Sequence, residues 1–191
     1  MSDVKKNDTP LGRVKTVLGP MLQAGTAATL TAESMLHGMG SATKPFAQIA
    51  TGHAQRSIGL FGALYYGRKT MEEGGAGNAF KTVAYTGFAA HGYARMFESH
   101  SRHAPWTAGS GLGAAVLKGL ASGPSSAPGF IADAAANAVE LGHGMHHASS
   151  QPWQAIARAA HNIKPATVMK TQRVGAALMF ADALYQGYKK R

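Results

Sequence analysis

From Thr171 to Arg191 the apolar residues Val174, Ala177, Leu178, Ala181, Leu184, Tyr185 and Tyr188 recur at i, i+3, i+4 and i+7, a period that one face of an α-helix supplies and a strand does not. Elsewhere no segment alternates apolar and polar residues over a strand's length, and β-branched residues are thin and scattered. The chain therefore reads as all-α, a multi-helix bundle. Its apolar share, 45% of residues, is built from alanine and from 24 glycines more than from large side chains, so the helices should pack backbone-close.

Interruptions place the helices. Residues 1–10 are polar and basic, with Lys5 and Lys6, and read as a flexible tail. Gly19-Pro20 should bend or stop a helix that begins near Leu11, leaving Thr26 to Met39 as a second one. Thr43 is placed as an N-cap, with Pro45 in the first turn, for a long helix that runs to about Met71. Glu72 to Gly77 and Ser122 to Gly129 are the clearest breaks. Helices are expected over 78–103 and 106–121, and then over 130–147, 152–162 and 164–191.

An internal echo suggests how these helices are organised. Ala63-Leu64-Tyr65-x-Gly67-x-Lys69 returns 120 residues later as Ala183-Leu184-Tyr185-x-Gly187-x-Lys189. Gly19-Pro20 and His37-Gly38-Met39 have counterparts in Gly123-Pro124 and His143-Gly144-Met145. The matches keep their order and suggest a duplicated helical unit, 11–73 and 106–191, joined by a connecting helix over 78–103 in one compact domain. The second copy needs an insertion near His161 to Lys164.

Charge points to partners. Lys and Arg total 19 against 9 Asp and Glu, a formal net charge of +10. Such a surplus suits an anionic membrane surface, nucleic acid, or a basic subunit among protein partners or copies of itself. With no cysteine, disulfides, cysteine-ligated zinc and thiol catalysis are excluded. The N-terminal stretch lacks the apolar core of a classical signal peptide, so the expected place is the cytoplasm or an assembled particle. No unbroken apolar run reaches the roughly 18 residues of a spanning helix.

Chemistry-bearing clusters are few. Tyr65, Tyr185 and Tyr188, followed by Lys69, Lys189, Lys190 and Arg191, make helix ends that could anchor at an interface or meet a subunit. Arg95 and Arg102, with His100 and His103, read as a cationic surface turn. Glu140, His143 and His147 could share a helix face, and Glu33 with His37 lies in the echoing segment, which is the pattern of a bundle site for a transition metal. Gly109, Gly111 and Gly113 lack the strand and the acidic residue of a dinucleotide site; Gly109 and Gly113 suit helix packing instead. No serine sits in a nucleophile elbow.

The function expected from these features is non-enzymatic. The chain reads as a structural or scaffold protein of a larger assembly, virion-like or membrane-associated, that needs no cofactor. A helical-bundle metalloprotein is the alternative, and a nucleic-acid binder acting by charge alone is a third reading.

Overall fold

The computed structural model describes residues 10–36, 38–97, 104–145 and 151–189. Seven helices occupy them, with no strand among the described residues: α1 (Pro10–Leu36), α2 (Lys44–Glu73), α3 (Ala76–Met96), α4 (Ala104–Ala121), α5 (Ala127–Gly144), α6 (Gln151–His161) and α7 (Pro165–Lys189). The protein is all-α, a multi-helix bundle.

Two boundaries differ from expectation. α1 runs unbroken through Gly19-Pro20, where the sequence predicts two helices. An interior proline costs about 3 kcal/mol in an isolated helix, but α7 holds α1 through the turns that follow it. Gln23 Nε2 donates to the Met179 carbonyl at 3.0 Å, and Arg173 Nη2 donates to the Ser34 carbonyl at 3.2 Å. Thr43 does not cap α2 with its side chain; its hydroxyl donates instead to the Gly40 carbonyl at 3.3 Å. Pro45 in the first turn starts that helix, and Gly74 and Gly75, at φ +70° and +91°, end it and turn the chain into α3.

Six helices close an antiparallel ring in the order α1, α2, α3, α4, α5, α7 and back to α1, with α6 packed on α5. The direction follows from paired contacts. Gly19 and Gly25 of α1 meet Tyr66 and Ile58 of α2, and Gly52 and Gly62 of α2 meet Met96 and Tyr85 of α3. The helices thus pair as three hairpins whose second members open at Pro45, Pro105 and Pro165, spaced by 60 residues. The segment expected to connect two copies, 78–103, is α3 over its described part and takes a full place in the ring. At the 120-residue spacing of the echo, five buried positions of α2, including Gln55, Gly59 and Gly62, coincide with buried positions of α7, among them Gly175, Met179 and Asp182.

Backbone contact at glycine sets the ring's width. A Cβ on Gly92 would lie 2.6 Å from the Gly52 carbonyl oxygen, and one on Gly175 would lie 2.8 Å from that of Gly129. In α4 it is Gly111, against Asn137 and His91, that makes this approach, rather than Gly109 or Gly113. Across the middle, Ala27, Leu30, Phe88, Ala114, Phe130, Ala176 and Met179, with Ile58, form one apolar layer to which all six ring helices contribute.

Small residues therefore take the inward positions, and large ones are left outside. On α7 the buried face is Val168, Gln172, Gly175, Ala176, Met179, Asp182 and Ala183, while Val174, Leu178, Leu184, Tyr185 and Tyr188 of the apolar stripe face outward. Replacement of Gly92 by alanine should cost about 1–3 kcal/mol through overpacking against backbone. Gly113 to alanine, with nothing within 4 Å of the added carbon, should instead stabilise by up to about 1 kcal/mol. Urea unfolding of the two variants checks both signs.

Candidate functional site

Beside its apolar layer the ring's interior holds a buried polar network. Glu33 of α1 is fully buried and receives Arg95 Nη2 and His91 Nε2 of α3 and Gln55 Nε2 of α2, the histidine at 2.9 Å. His91 Nδ1 meets the Thr107 carbonyl of α4 at 2.7 Å, and Gln48 Nε2 donates to the Arg95 carbonyl at 2.9 Å. One carboxylate thus ties three helices directly and a fourth through His91. Asp133 of α5 is buried nearby and accepts from Asn137 Nδ2 at 3.1 Å.

Electrostatics follow from this packing. Burial alone would raise the pKa of Glu33, but the charges of Arg95 and His91 outweigh it and hold the carboxyl well below the usual range. Burial works against the charged form of His91, yet the Glu33 carboxylate prevails and its pKa is raised. Asp133 is pushed up to about 7, by burial first and by the Glu33 charge second. Burial pushes Lys118 of α4 down to about 7, against the attraction of Asp133.

Lys118 also borders an axial cavity of about 150 Å³ at one end of the ring, to which all six ring helices contribute. Gly19, Pro20 and Gln23 come from α1, Tyr65, Tyr66 and Lys69 from α2, Asn78, Lys81 and Tyr85 from α3, and Gln186 from α7. Ser122, Gly123 and Ser126 bring the turn into α5 to the same wall, with Phe130 beyond it. Lys118 is 4% exposed, and its Nζ lies 4.1 Å from the ring centroids of both Tyr85 and Phe88. Lys81 Nζ lies 5.2 Å from that of Tyr66. Tyr66 stacks on Tyr85 with centroids 5.5 Å apart. Burial raises the pKa of both phenols, so they stay protonated.

The residues singled out from sequence fall in different places. Tyr65 and Lys69 border the cavity, and Lys69 pairs with Glu73 at 3.5 Å. Tyr185 and Tyr188 stand on the outer face of α7 at 59% and 80% exposure, with Lys189 exposed at its end. Arg95 is corrected: it is 3% exposed and bound to Glu33, since the last turn of α3 faces the ring interior rather than a surface turn. Glu33 belongs to that same network, whereas His143 Nε2 meets the Ala160 carbonyl of α6 at 2.7 Å, and Glu140 sits half-buried on α5. Among the described residues no three His, Asp or Glu side chains are grouped as a metal ion would require. His37, Arg102, His147, Lys190 and Arg191 lie outside the described residues, as do His100 and His103.

His91, Gln55, Lys118, Lys81, Tyr66 and Tyr85 were not legible as site residues. The one available signal was a charge alone within an Ala/Gly helix, as for Lys118 in α4. No protein family, curated protein or solved structure matches this chain.

Two outcomes test the network. Glu33→Gln leaves the Arg95 guanidinium buried without its counter-charge and should cost about 3–5 kcal/mol in chemical unfolding. Because the folded-state pKa of His91 is raised, its contribution is complete below about pH 6.5 and is lost as pH rises through the folded value. The stability difference between the protein and His91→Gln, measured by urea midpoints from about pH 6 upward, should shrink as pH rises.

Proposed function

We propose that this protein is a non-enzymatic structural component of a membrane-associated assembly, with its outward helix faces in contact with lipid and its basic helix ends at an anionic headgroup surface. The observation that carries this reading is the set of large apolar residues on the outer helix faces, beside charged residues buried within. Glu33, His91, Arg95, Lys118 and Asp133 are buried, while Phe46, Leu60, Phe61, Leu64 and Met71 of α2 are exposed. Exposed large apolar residues continue around the ring as Phe80, Val83 and Tyr93 of α3, Trp106, Val116 and Leu120 of α4, Ile131 of α5, and Phe180 and Leu184 of α7. A further groove of about 400 Å³ between α1 and α7 is bordered by Val17, Met21, Leu184 and Tyr188.

Large apolar residues exposed on successive helices are what a lipid or partner cover would bury. Lipid is favoured as that cover by the charge that flanks them. Lys44 lies at the start of α2, Arg68 and Lys69 towards its end, and Lys189 at the end of α7, with a net +10 on the chain. Tyrosine and tryptophan near helix ends, at Tyr188 and Trp106, suit the headgroup boundary. No helix is long and apolar enough to cross a membrane among the described residues, so the reading is one of apolar faces entering lipid.

Co-sedimentation with phosphatidylglycerol-containing vesicles tests it. Binding should survive salt of about 1 M, where the Debye length falls to about 3 Å and charge attraction is screened. The double variant Phe61→Ser, Leu64→Ser, which removes exposed side chains worth roughly 1.5–3 kcal/mol each in apolar burial, should lower partitioning at least tenfold. Binding abolished by salt would leave charge alone and turn attention to nucleic acid. No binding at either salt, with a large species in sedimentation velocity, would give the apolar faces to neighbouring copies.

A further inference from the structure

We propose that the axial cavity between Lys69, Lys81 and Lys118 is a binding site for a phosphate group, free or as a small monoester. This concerns the inside of the ring and does not depend on what covers its outer faces. Three ammonium groups from three helices border the cavity, and no Asp or Glu is among the described residues that line it. The acid paired with Lys69, Glu73, is an exposed neighbour one turn away on the same helix. Lys118 has no carboxylate oxygen within ion-pair distance among the described residues, and the hydrogen bond it makes to Thr26 Oγ1 is long, at 3.4 Å.

An ammonium carries three donors and no acceptor, so a buried lysine bordered by aromatic faces has donors left to give. Phosphate suits this set better than carboxylate. Donors on separate helices suit a tetrahedral group's several oxygens, and no arginine is among the described lining residues to offer the planar fork that carboxylates match. The Tyr66 hydroxyl remains protonated as a further donor, while that of Tyr85 is bonded to Thr26. Ser126 brings the N-terminal end of α5, with its partial positive charge, to the same wall. A cavity of about 150 Å³ has room for a phosphate or a short ester.

An anion opposite Lys118 would also restore the charge that burial opposes, so binding near pH 8 should draw a proton onto the protein. Isothermal titration of the full chain with inorganic phosphate and with glycerol phosphate, at constant ionic strength in buffers of different ionisation enthalpy, tests this. Saturable binding with proton uptake is expected, weakened at least tenfold by Lys81→Gln, with the uptake lost in Lys118→Met. Binding of the free ion identifies phosphate itself, and binding of the ester alone identifies a phosphomonoester; either upholds the site. No saturable binding of either ligand, or undiminished binding by Lys81→Gln, overturns it. Should Lys118→Met fail to fold, the double variant Lys69→Gln, Lys81→Gln, altered only at partly exposed positions, carries the same test.

Discussion

The contact of helix backbones at glycine is the constraint on which the rest of this structure depends. Where Gly52 meets Gly92 and Gly129 meets Gly175, there is no room for a β-carbon, and the axes come as close as main chains allow. That closeness is spent on the inward faces. Helices α2, α3, α4, α5 and α7 then carry large apolar residues on their outer faces, exposed among the described residues. A bundle built on leucine would place these residues the other way round.

A ring closed in this manner encloses a narrow interior, and beside the apolar layer its occupants are polar. Glu33 alone would be costly there, since removing a carboxylate from water is repaid only by close counter-charges and complete hydrogen bonding. Arg95, His91 and Gln55 provide both, and because they come from α2 and α3 the same contacts fix how α1 sits against those two helices. Such a network contributes less to net stability than to the choice of one arrangement, because a shifted register would strand a buried charge.

The two ends of the interior differ. Beyond the apolar layer of Leu30, Phe88, Phe130 and Met179, one side holds an ion network balanced by its own acid. The other holds lysines and phenols around a cavity with no acid among the described residues of its wall. This asymmetry distinguishes a structural charge cluster from a place where a ligand of opposite sign completes the electrostatics. It also separates the inside of the molecule, whose chemistry concerns small anions, from the outside, whose chemistry concerns apolar cover.

Helical periodicity, the glycine and proline breaks and the lack of any alternating segment determined the class of fold and most of its boundaries, because local spacing and turn chemistry are properties of neighbours along the chain. The excess of basic residues and the tyrosine-bearing helix ends were equally legible. Which face of each helix turns inward was not, because hydropathy favours burying the larger apolar stripe, whereas close backbone approach selects the small one, and only the assembled ring decides between them. Pro20 could not be placed inside a continuous helix until α7 was seen to hold α1 in the turns that follow it. Glu33 and Arg95 are 62 positions apart, and Lys118 shares a wall with Lys69 and Lys81 from other helices. Those meetings are made by tertiary packing, since nothing in the spacing of residues along a single helix encodes a contact across a ring.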